Sequence, residues 1–551
     1  MTDRVPAWYD RTDRTWIDVF TEQTDRHSDK EFLKFGEQRI LYGQLRNAVD
    51  ELTTGLIRSG VRPGAVVAIW MNNCVEWVVA QWATYRAGCT LLPVSSYYRV
   101  PEVLYALREA QAVVLVVRST FVGKIDAKSM VLEMLPELAK SADPQFEQVP
   151  SLRMVVTERD WGLPGSRSIS QLRQLGRPVD PQALEFARSR TAPTDVMNIM
   201  YTSGTTGVPK AGLSMHRNNM AAVECWSSFA GLDENVVLLC PAPLFGNIGC
   251  TYSSGITMYL GGRMVLTERF DPLACLHEIQ AEEVTYMTGT PEMYRMILDH
   301  PQLTLTDFST LRSAHVGGST LESDLAERLF QYIPDALPCY GLSETGGPNT
   351  VVGPGDKMSL RLSSVGRPLP NVRLSVRDPE TRAPCDVGQV GEIWLKDAYP
   401  ASCVGKGYLA SPEATAKAIT TDGWFRTGDL GKLDSEGYVF FEGRRSNMIT
   451  VGGFNVFPAE IERVMQQDSQ IDRALVVGVR DERLGSVPAA FVVARPKLDL
   501  DQLRRNLSNQ LSSQKLPRFI WQIADSEIPR TANGKIRIAD LQKRAATMAL
   551  G

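Results

Sequence analysis

Two hydrophobic periods take turns along the chain. "VVAIWM" (Val66 to Met71) is an unbroken apolar run of strand length, and "VEWVVAQWATYRAG" after it is a helix-length segment that ends at Gly88. "TLLPV" then predicts a strand, "VPEVLYALREAQA" a helix and "VVLVV" a strand. The alternation returns in "NVVLLCPA", "RMVLT", a helix through Leu273 to Ala281, and "VTYMTGTP". Strands buried on both faces and separated by helices predict an α/β fold with parallel-type sheets wrapped by helices. Segment 120–190 is more polar and predicts surface excursions.

Near 360–440 the texture changes. "NVRLSVRD", "VGEIWLK" and "GYVFFEG" are short strands with turn signals, which predict a barrel-like or antiparallel subdomain. After Gly443 a helix at Pro458 to Gln467, strands "RALVVGVRD" and "AAFVVARP", and a helix over Leu500 to Gln514 predict a small α+β domain. A chain of 551 residues is in any case too long for one core.

Composition narrows the function. With 43% hydrophobic and 22% charged residues the chain is an ordinary globular one. Its net charge of −4 and lack of basic runs argue against nucleic-acid or anionic-membrane partners. No apolar stretch is long enough to span a bilayer or to serve as a signal peptide, so a cytoplasmic location is expected. Nine scattered cysteines form no CxxC pair and no zinc-ligand cluster, which fits reduced thiols.

One stretch carries chemistry. In "YTSGTTGVPKAGLSMHRN" the residues Thr202, Ser203, Gly204, Thr205, Thr206 and Gly207 follow a short apolar run, and Lys210 follows them. Backbone N–H groups and hydroxyls in such a loop converge on one concavity and suit phosphate oxygens, with the lysine adding a point charge. The glycine-to-lysine spacing is not that of a Walker A loop. Alone, the same residues also describe a polar surface turn.

Further motifs follow in order: "YGLSETGG" (Tyr340 to Gly347), "FRTGDLG" (Phe425 to Gly431), "GRRSNMITVGGFNVFPAEIE" (Gly443 to Glu462) and "IPRTANGKIR" (Ile528 to Arg537). Together with the loop, they resemble the motif series of the adenylate-forming superfamily, over nearly the whole chain. The match is nearest to its acyl-CoA synthetases, including the crotonobetaine/carnitine and fatty or aryl acid types. The resemblance implies an ATP- and acyl-binding domain at 1–443, a hinge at 444–447, and a mobile lid at 448–551 carrying Lys535. It implies ATP, Mg²⁺ and coenzyme A as cofactors, and a small-molecule carboxylic acid, or its acyl-adenylate, as partner. Glu344 would hold Mg²⁺, Ser343 would contact the α-phosphate, and Tyr340 and Gly341 would lie against the adenine. Asp429 and Arg444 would hold the ribose, and Lys535 would bridge the carboxylate and α-phosphate. Gly317, Gly318 and Ser319 would border the nucleotide and acyl group, and Gly452 and Gly453 would face the site during thioester formation. Phe245, Gly246, Asn247, His315, Gly346 and Gly347 would line the acyl pocket, where the glycines suggest room for a bulky or branched acid. His315 is equally well read as a packed strand-end residue.

Three positions depart from the family pattern. Ala211 stands where glycine is usual, Gly246 where an aromatic ring is usual, and Ser446 where a hinge aspartate or lysine is usual. A β-carbon at 211 would be costly if that backbone needed a positive φ. Two readings follow. In one the chain is a complete ligase of a non-amino carboxylic acid. In the other adenylation is impaired, and the chain chiefly converts a supplied acyl-adenylate to its thioester. A ligase loading a separate carrier protein and a silent nucleotide-binding scaffold are the further alternatives. Oligomeric state is not legible, a homodimer being one option.

Overall fold

The computed structural model describes residues 13–121, 125–202, 210–451, 454–494, 498–530 and 536–549. The chain forms two compact units: Met1–Arg373 with Leu395–Phe425, and Leu374–Trp394 with Arg426–Gly551.

The larger unit holds two sheets. In the nine-stranded one, six neighbouring strands run parallel: Asp335–Leu342, Ser313–Val316, Tyr286–Gly289, Val237–Cys240, Arg263–Leu266 and Glu31–Phe35. Antiparallel strands close both edges, with Gly347–Val351 returning beside Asp335–Leu342. The seven-stranded sheet is parallel except where Lys210–Met215 pairs antiparallel with Val196–Thr202. The central strands of both sheets are continuous apolar runs because they are covered on two faces. The expected helices are present, among them Val75–Arg86, Val100–Glu109 and Pro272–Ala281. Segment 120–190 is more ordered than its polarity suggests. Met154–Thr157 and Ser166–Ser168 extend the seven-stranded sheet, and Ile169–Leu175 packs on helix Tyr42–Arg58.

The smaller unit is built on a five-stranded sheet that includes Ile471–Asp481, Gly485–Ala494 and Phe519–Gln522. Helices Pro458–Met465 and Leu500–Gln510 share its core. The expected barrel-like segment is a four-stranded sheet of Val372–Arg377, Gly391–Asp397, Phe425–Leu433 and Val439–Arg444. Residues 448–551 lie wholly within this smaller unit.

Asn73, 2% exposed, ties the two large sheets together. It sits between strand Val66–Trp70 and helix Val75–Arg86, donates to the carbonyls of Ala242 and Thr267 (3.0 Å each), and accepts from Leu244 N–H (2.7 Å). The loop it grips leads directly to Phe245 and Gly246. Asn73→Ala would leave one buried N–H and two buried carbonyls without this partner. We expect the larger unit to lose about 3 kcal/mol, read as a lower urea midpoint.

Candidate active site

Six parallel strands point their carboxyl ends to one edge of the nine-stranded sheet, where ligands bind in open α/β folds. The segments at or after those ends are the expected ones: Phe245 to Asn247, Gly317 to Ser319, and Tyr340 to Gly347, of which Tyr340 to Leu342 close the strand. Phe245 is half-buried and meets Tyr97 edge-on at 6.0 Å, while Gly317 is buried, and Gly318 and Ser319 are exposed.

Ser343 and Glu344 form a one-turn helix with Thr345, between strand Asp335–Leu342 and Gly346. The Tyr408 hydroxyl donates to Glu344 Oε1 at 3.1 Å, and Lys210 Nζ lies 5.3 Å from the Tyr408 ring centre. Tyr408 reaches this place because segment 405–409 runs beside strand Lys210–Met215. Leu213 and Gly407 bond through N–H and C=O, as do Leu409 and Ala211, each at 2.9 Å. A cation and a carboxylate are thus held on opposite parts of one tyrosine. The strand before the loop is also anchored, since the Tyr201 hydroxyl donates to Glu109 Oε2 at 2.6 Å. Burial and the adjacent Glu109 carboxylate push the Tyr201 phenol well above its usual range. Thr202 ends that strand. Ser203, Gly204, Thr205, Thr206 and Gly207 lie outside the described residues, as do Gly452, Gly453 and Lys535.

Ala211 is a strand residue paired with Tyr201, and its φ is not positive. It is 2% exposed and belongs to the apolar core that contains Leu92, Val94 and Ile199. Its neighbour Gly212 faces the other way, and a β-carbon there would lie 3.5 Å from Glu344 Cγ. Successive strand residues point to opposite faces, so the methyl of Ala211 enters the core and leaves the site side untouched. The concern over a strained backbone at this position is removed.

The glycines expected to enlarge the acyl pocket divide into two groups. A β-carbon on Gly347 (φ 138°) would overlap the Tyr252 ring at about 2.1 Å. One on Gly346 would lie 3.2 Å from Asn218 Nδ2, and one on Gly317 would lie 2.8 Å from Cys339 Sγ. These three glycines admit protein side chains and do not leave space for substrate. A β-carbon at Gly246 would make only an ordinary contact, with Pro243 O at 3.5 Å, and one at Gly318 would do the same with Thr290 and Ile248 at 3.6 and 3.7 Å, so no neighbouring side chain requires either glycine. Asn247 donates to Gly346 O at 3.3 Å, so it braces the turn from the pocket side.

His315 is 3% exposed. It stacks on Tyr252 (5.6 Å, 24°), meets Trp226 edge-on (5.1 Å), and its Nε2 lies 3.4 Å from Cys339 Sγ. The packed reading describes it. Burial holds its imidazole down at about 4, and His216 likewise.

In the smaller unit Asp429 is 2% exposed and cross-strand from Arg444, whose Nε lies 3.0 Å from Asp429 Oδ1. That register places the two candidate ribose contacts side by side. Arg445, Ser446 and Asn447 form a 3₁₀ turn, in which Arg445 pairs with Glu380 at 3.1 Å and Ser446 donates to Asn447 Oδ1. Among the described residues no three His, Cys, Asp or Glu side chains form a metal cluster. A 430 Å³ polar surface hollow beside Thr24, Asp25 and Arg46 contains none of the site residues.

Sequence reading missed Tyr252, Tyr408, Asn73 and Asn218. Asn218 accepts from Met215 N–H (2.7 Å) and donates to Cys403 O (3.0 Å), fixing the helix on which Gly346 rests. A tyrosine bracketed by glycine and leucine in "KGYL" was the one local signal for Tyr408.

Two tests follow from this geometry. Ala211→Gly should cost about 1–2 kcal/mol in stability, through a lost buried methyl and a looser strand, with no gain in ATP-dependent activity. A several-fold gain in pyrophosphate release would contradict it. For the histidines, the unfolded chain binds protons below pH 6.5 that the folded one refuses until about 4. Stability is therefore full above pH 6.5 and falls as the pH drops toward 4, by about 3 kcal/mol for each histidine. His315→Asn should flatten the fall in urea midpoint between pH 7 and 4.5 by one such share.

The sequence and fold have known counterparts. Residues 20–409 match the model of the AMP-binding enzyme family, and residues 460–535 match the AMP-binding enzyme C-terminal domain. A 3-[(3aS,4S,7aS)-7a-methyl-1,5-dioxo-octahydro-1H-inden-4-yl]propanoyl:CoA ligase of Mycobacterium tuberculosis is 33% identical over 92% of this chain and 94% of its own. A mitochondrial medium-chain acyl-CoA ligase of Danio rerio is 30% identical, over 94% and 86% respectively. The crystal structure of ATP-bound MatB from Rhodopseudomonas palustris superposes with a TM-score of 0.80 at 26% identity, covering 97% of this chain and 99% of that one. The chain belongs to the AMP-binding enzyme family, as an ATP-dependent acid–thiol ligase of the acyl-CoA synthetase type.

Proposed function

We propose that the chain ligates coenzyme A to a non-amino, bulky carboxylic acid, in two steps at one site. A carboxylate oxygen attacks the α-phosphorus of ATP, the bond to pyrophosphate breaks, and an acyl-adenylate remains. The CoA thiol then gives up its proton and attacks the acyl carbon, and AMP leaves. The first step brings two anions together, so fixed positive charge and alignment dominate the barrier.

The observation that carries this reading is Glu344 held by Tyr408 beside Lys210, at the carboxyl ends of the parallel strands. Lys210 would neutralise phosphate oxygens, and Ser343 would hold the α-phosphate. Glu344 offers a carboxylate in the turn after the parallel strand, and Mg²⁺ takes one or two carboxylates plus substrate phosphates. When bound at Glu344, Mg²⁺ would supply charge neutralisation on the phosphates. Asp429 would accept the ribose hydroxyls, with Arg444 fixing its carboxylate. Lys535 would stabilise the charge transferred in adenylation, and residues 444–447 would serve as the hinge that brings it in and out, with Gly452 and Gly453 presented in the second step.

The absence of a ring at Gly246 supports a bulky acid, and the acyl group named for the mycobacterial relative carries a bicyclic ring on its propanoyl chain. The reading in which adenylation is lost has no support from Ala211, whose side chain faces the core. Nine free cysteines suit a reducing compartment such as the cytoplasm. Among the described residues no helix is long and apolar enough to cross a membrane.

The test separates the half-reactions over a panel of non-amino acids. We expect acid-dependent pyrophosphate release and, with CoA, stoichiometric thioester. Lys535→Ala should lower adenylation by about 100-fold or more while a preformed acyl-adenylate still reacts with CoA. Equal loss of both steps, or of neither, would contradict the assignment.

A further inference from the structure

The backbone that presents Asp429 is held by two side-chain acceptors. Strand Gly391–Asp397 neighbours Phe425–Leu433 in the four-stranded sheet, and its Glu392 is only 2% exposed. Glu392 Oε1 accepts from Gly428 N–H at 3.1 Å. Its Oε2 lies 3.3 Å from Arg426 Nη2 and 4.0 Å from Arg445 Nη1. Beside it, the Thr427 hydroxyl donates to Ile393 O at 2.6 Å and accepts from Asp429 N–H at 3.0 Å. Two successive N–H groups, those of Gly428 and Asp429, are therefore fixed by side chains. Gly428 has φ 71°, and glycine is the residue with the most backbone freedom to lose, so the anchor falls where the chain would otherwise wander most.

We infer that Glu392, together with Thr427, is a positioning residue for the nucleotide ribose: the two fix the backbone at Gly428 and Asp429, and so the direction in which the Asp429 carboxylate meets the ribose hydroxyls. This rests on the proposed role of Asp429 as their acceptor. A carboxylate is costly to bury, and an apolar side chain at 392 would simply continue the buried run Ile393, Trp394, Leu395. What the carboxylate does that an apolar side chain cannot is accept the Gly428 N–H while facing Arg426. That guanidinium is itself seated over the Trp394 ring, 5.4 Å from its centre, and Arg377 lies over the same ring at 4.9 Å. Glu392 is thus held by a cation that has its own fixed place. On the neighbouring strand Arg444 Nε lies 3.0 Å from Asp429 Oδ1. Asp429 is braced at its side chain by Arg444 and at its backbone by Glu392 and Thr427. Hydrogen bonds to hydroxyls weaken steeply when misaligned, so loss of the backbone anchors should be felt at the ribose first.

The experiment uses the full chain, with AMP and 2′,3′-dideoxy-AMP as probes and Kd from calorimetry. In the wild type we expect AMP to bind about 30-fold more tightly than the dideoxy nucleotide. Glu392→Met keeps the volume and removes the acceptor. It should narrow the gap to about 3-fold, by weakening AMP and leaving the dideoxy nucleotide nearly unchanged. Glu392→Gln retains an oxygen for the Gly428 N–H and should keep most of the gap. Thr427→Val removes the second anchor and should also narrow it, which keeps the test decisive where Glu392→Met does not fold. Equal weakening of both nucleotides in whichever of these two variants folds is the result of a merely structural role, and it would overturn the inference, as would an unchanged gap. Asp429→Ala reads the proposed ribose contact separately and should abolish the gap. A gap lost in Asp429→Ala but kept in Glu392→Met and Thr427→Val removes the positioning role and leaves the ribose contact. A gap kept in Asp429→Ala removes both.

Discussion

The ring of Tyr252 stands where a β-carbon of Gly347 would be, and the turn carrying Ser343 and Glu344 is shaped around that contact. Gly346 (φ 77°) and Gly347 (φ 138°) adopt backbone conformations that side chains disfavour, and they let the chain reverse from strand Asp335–Leu342 into Gly347–Val351 while pressed against a helix. Gly346 also receives hydrogen bonds on its carbonyl from Asn247 and Tyr252. The carboxylate of Glu344 and the packing against Tyr252 are therefore two sides of one turn. Adenylation needs both reactants in fixed relation, and a turn pinned from the helix supplies that without a loop having to find its place.

Charge is arranged with the same economy of parts. Tyr408 serves Glu344 through its hydroxyl and Lys210 through its ring, so an anion and a cation are kept apart yet adjacent, where phosphate and its counter-ion would meet them. In the smaller unit the cross-strand register of Asp429 and Arg444 fixes a buried carboxylate with a guanidinium. The buried histidines add no charge near neutral pH, since burial disfavours protonation of both imidazoles.

Much of the fold was legible because parallel strands buried on both faces are continuous apolar runs with helical segments between them. Val66–Trp70, Thr90–Pro93 and Tyr286–Gly289 all fell where the pattern put them. The strand Met154–Thr157 was overlooked because its apolar run is only four residues between polar neighbours, and its pairing with Val114–Val117 is long-range. At the site, motif positions such as Glu344 and Asp429 were visible in the chain, whereas Tyr252 and Tyr408 were not. A π-helical turn has no residue signature, and a tyrosine that bonds a carboxylate 64 positions away leaves no local trace. Glycine proved ambiguous for the same reason. Its missing side chain is visible in sequence, but whether substrate or another side chain takes the room depends on the fold. Ala211 shows the converse, since strand alternation decides that its methyl belongs to the core.

The central claim is that the acid is activated through its own carboxylate oxygen as an acyl-adenylate at the edge where Glu344 and Lys210 meet. Turnover of an acid whose carboxylate carries heavy oxygen, with mass analysis of the products, tests this most directly. One labelled oxygen should appear in AMP, and none in pyrophosphate. Thioester formation with unlabelled AMP would contradict the account, because the carboxylate oxygen would then never have been bonded to the α-phosphorus.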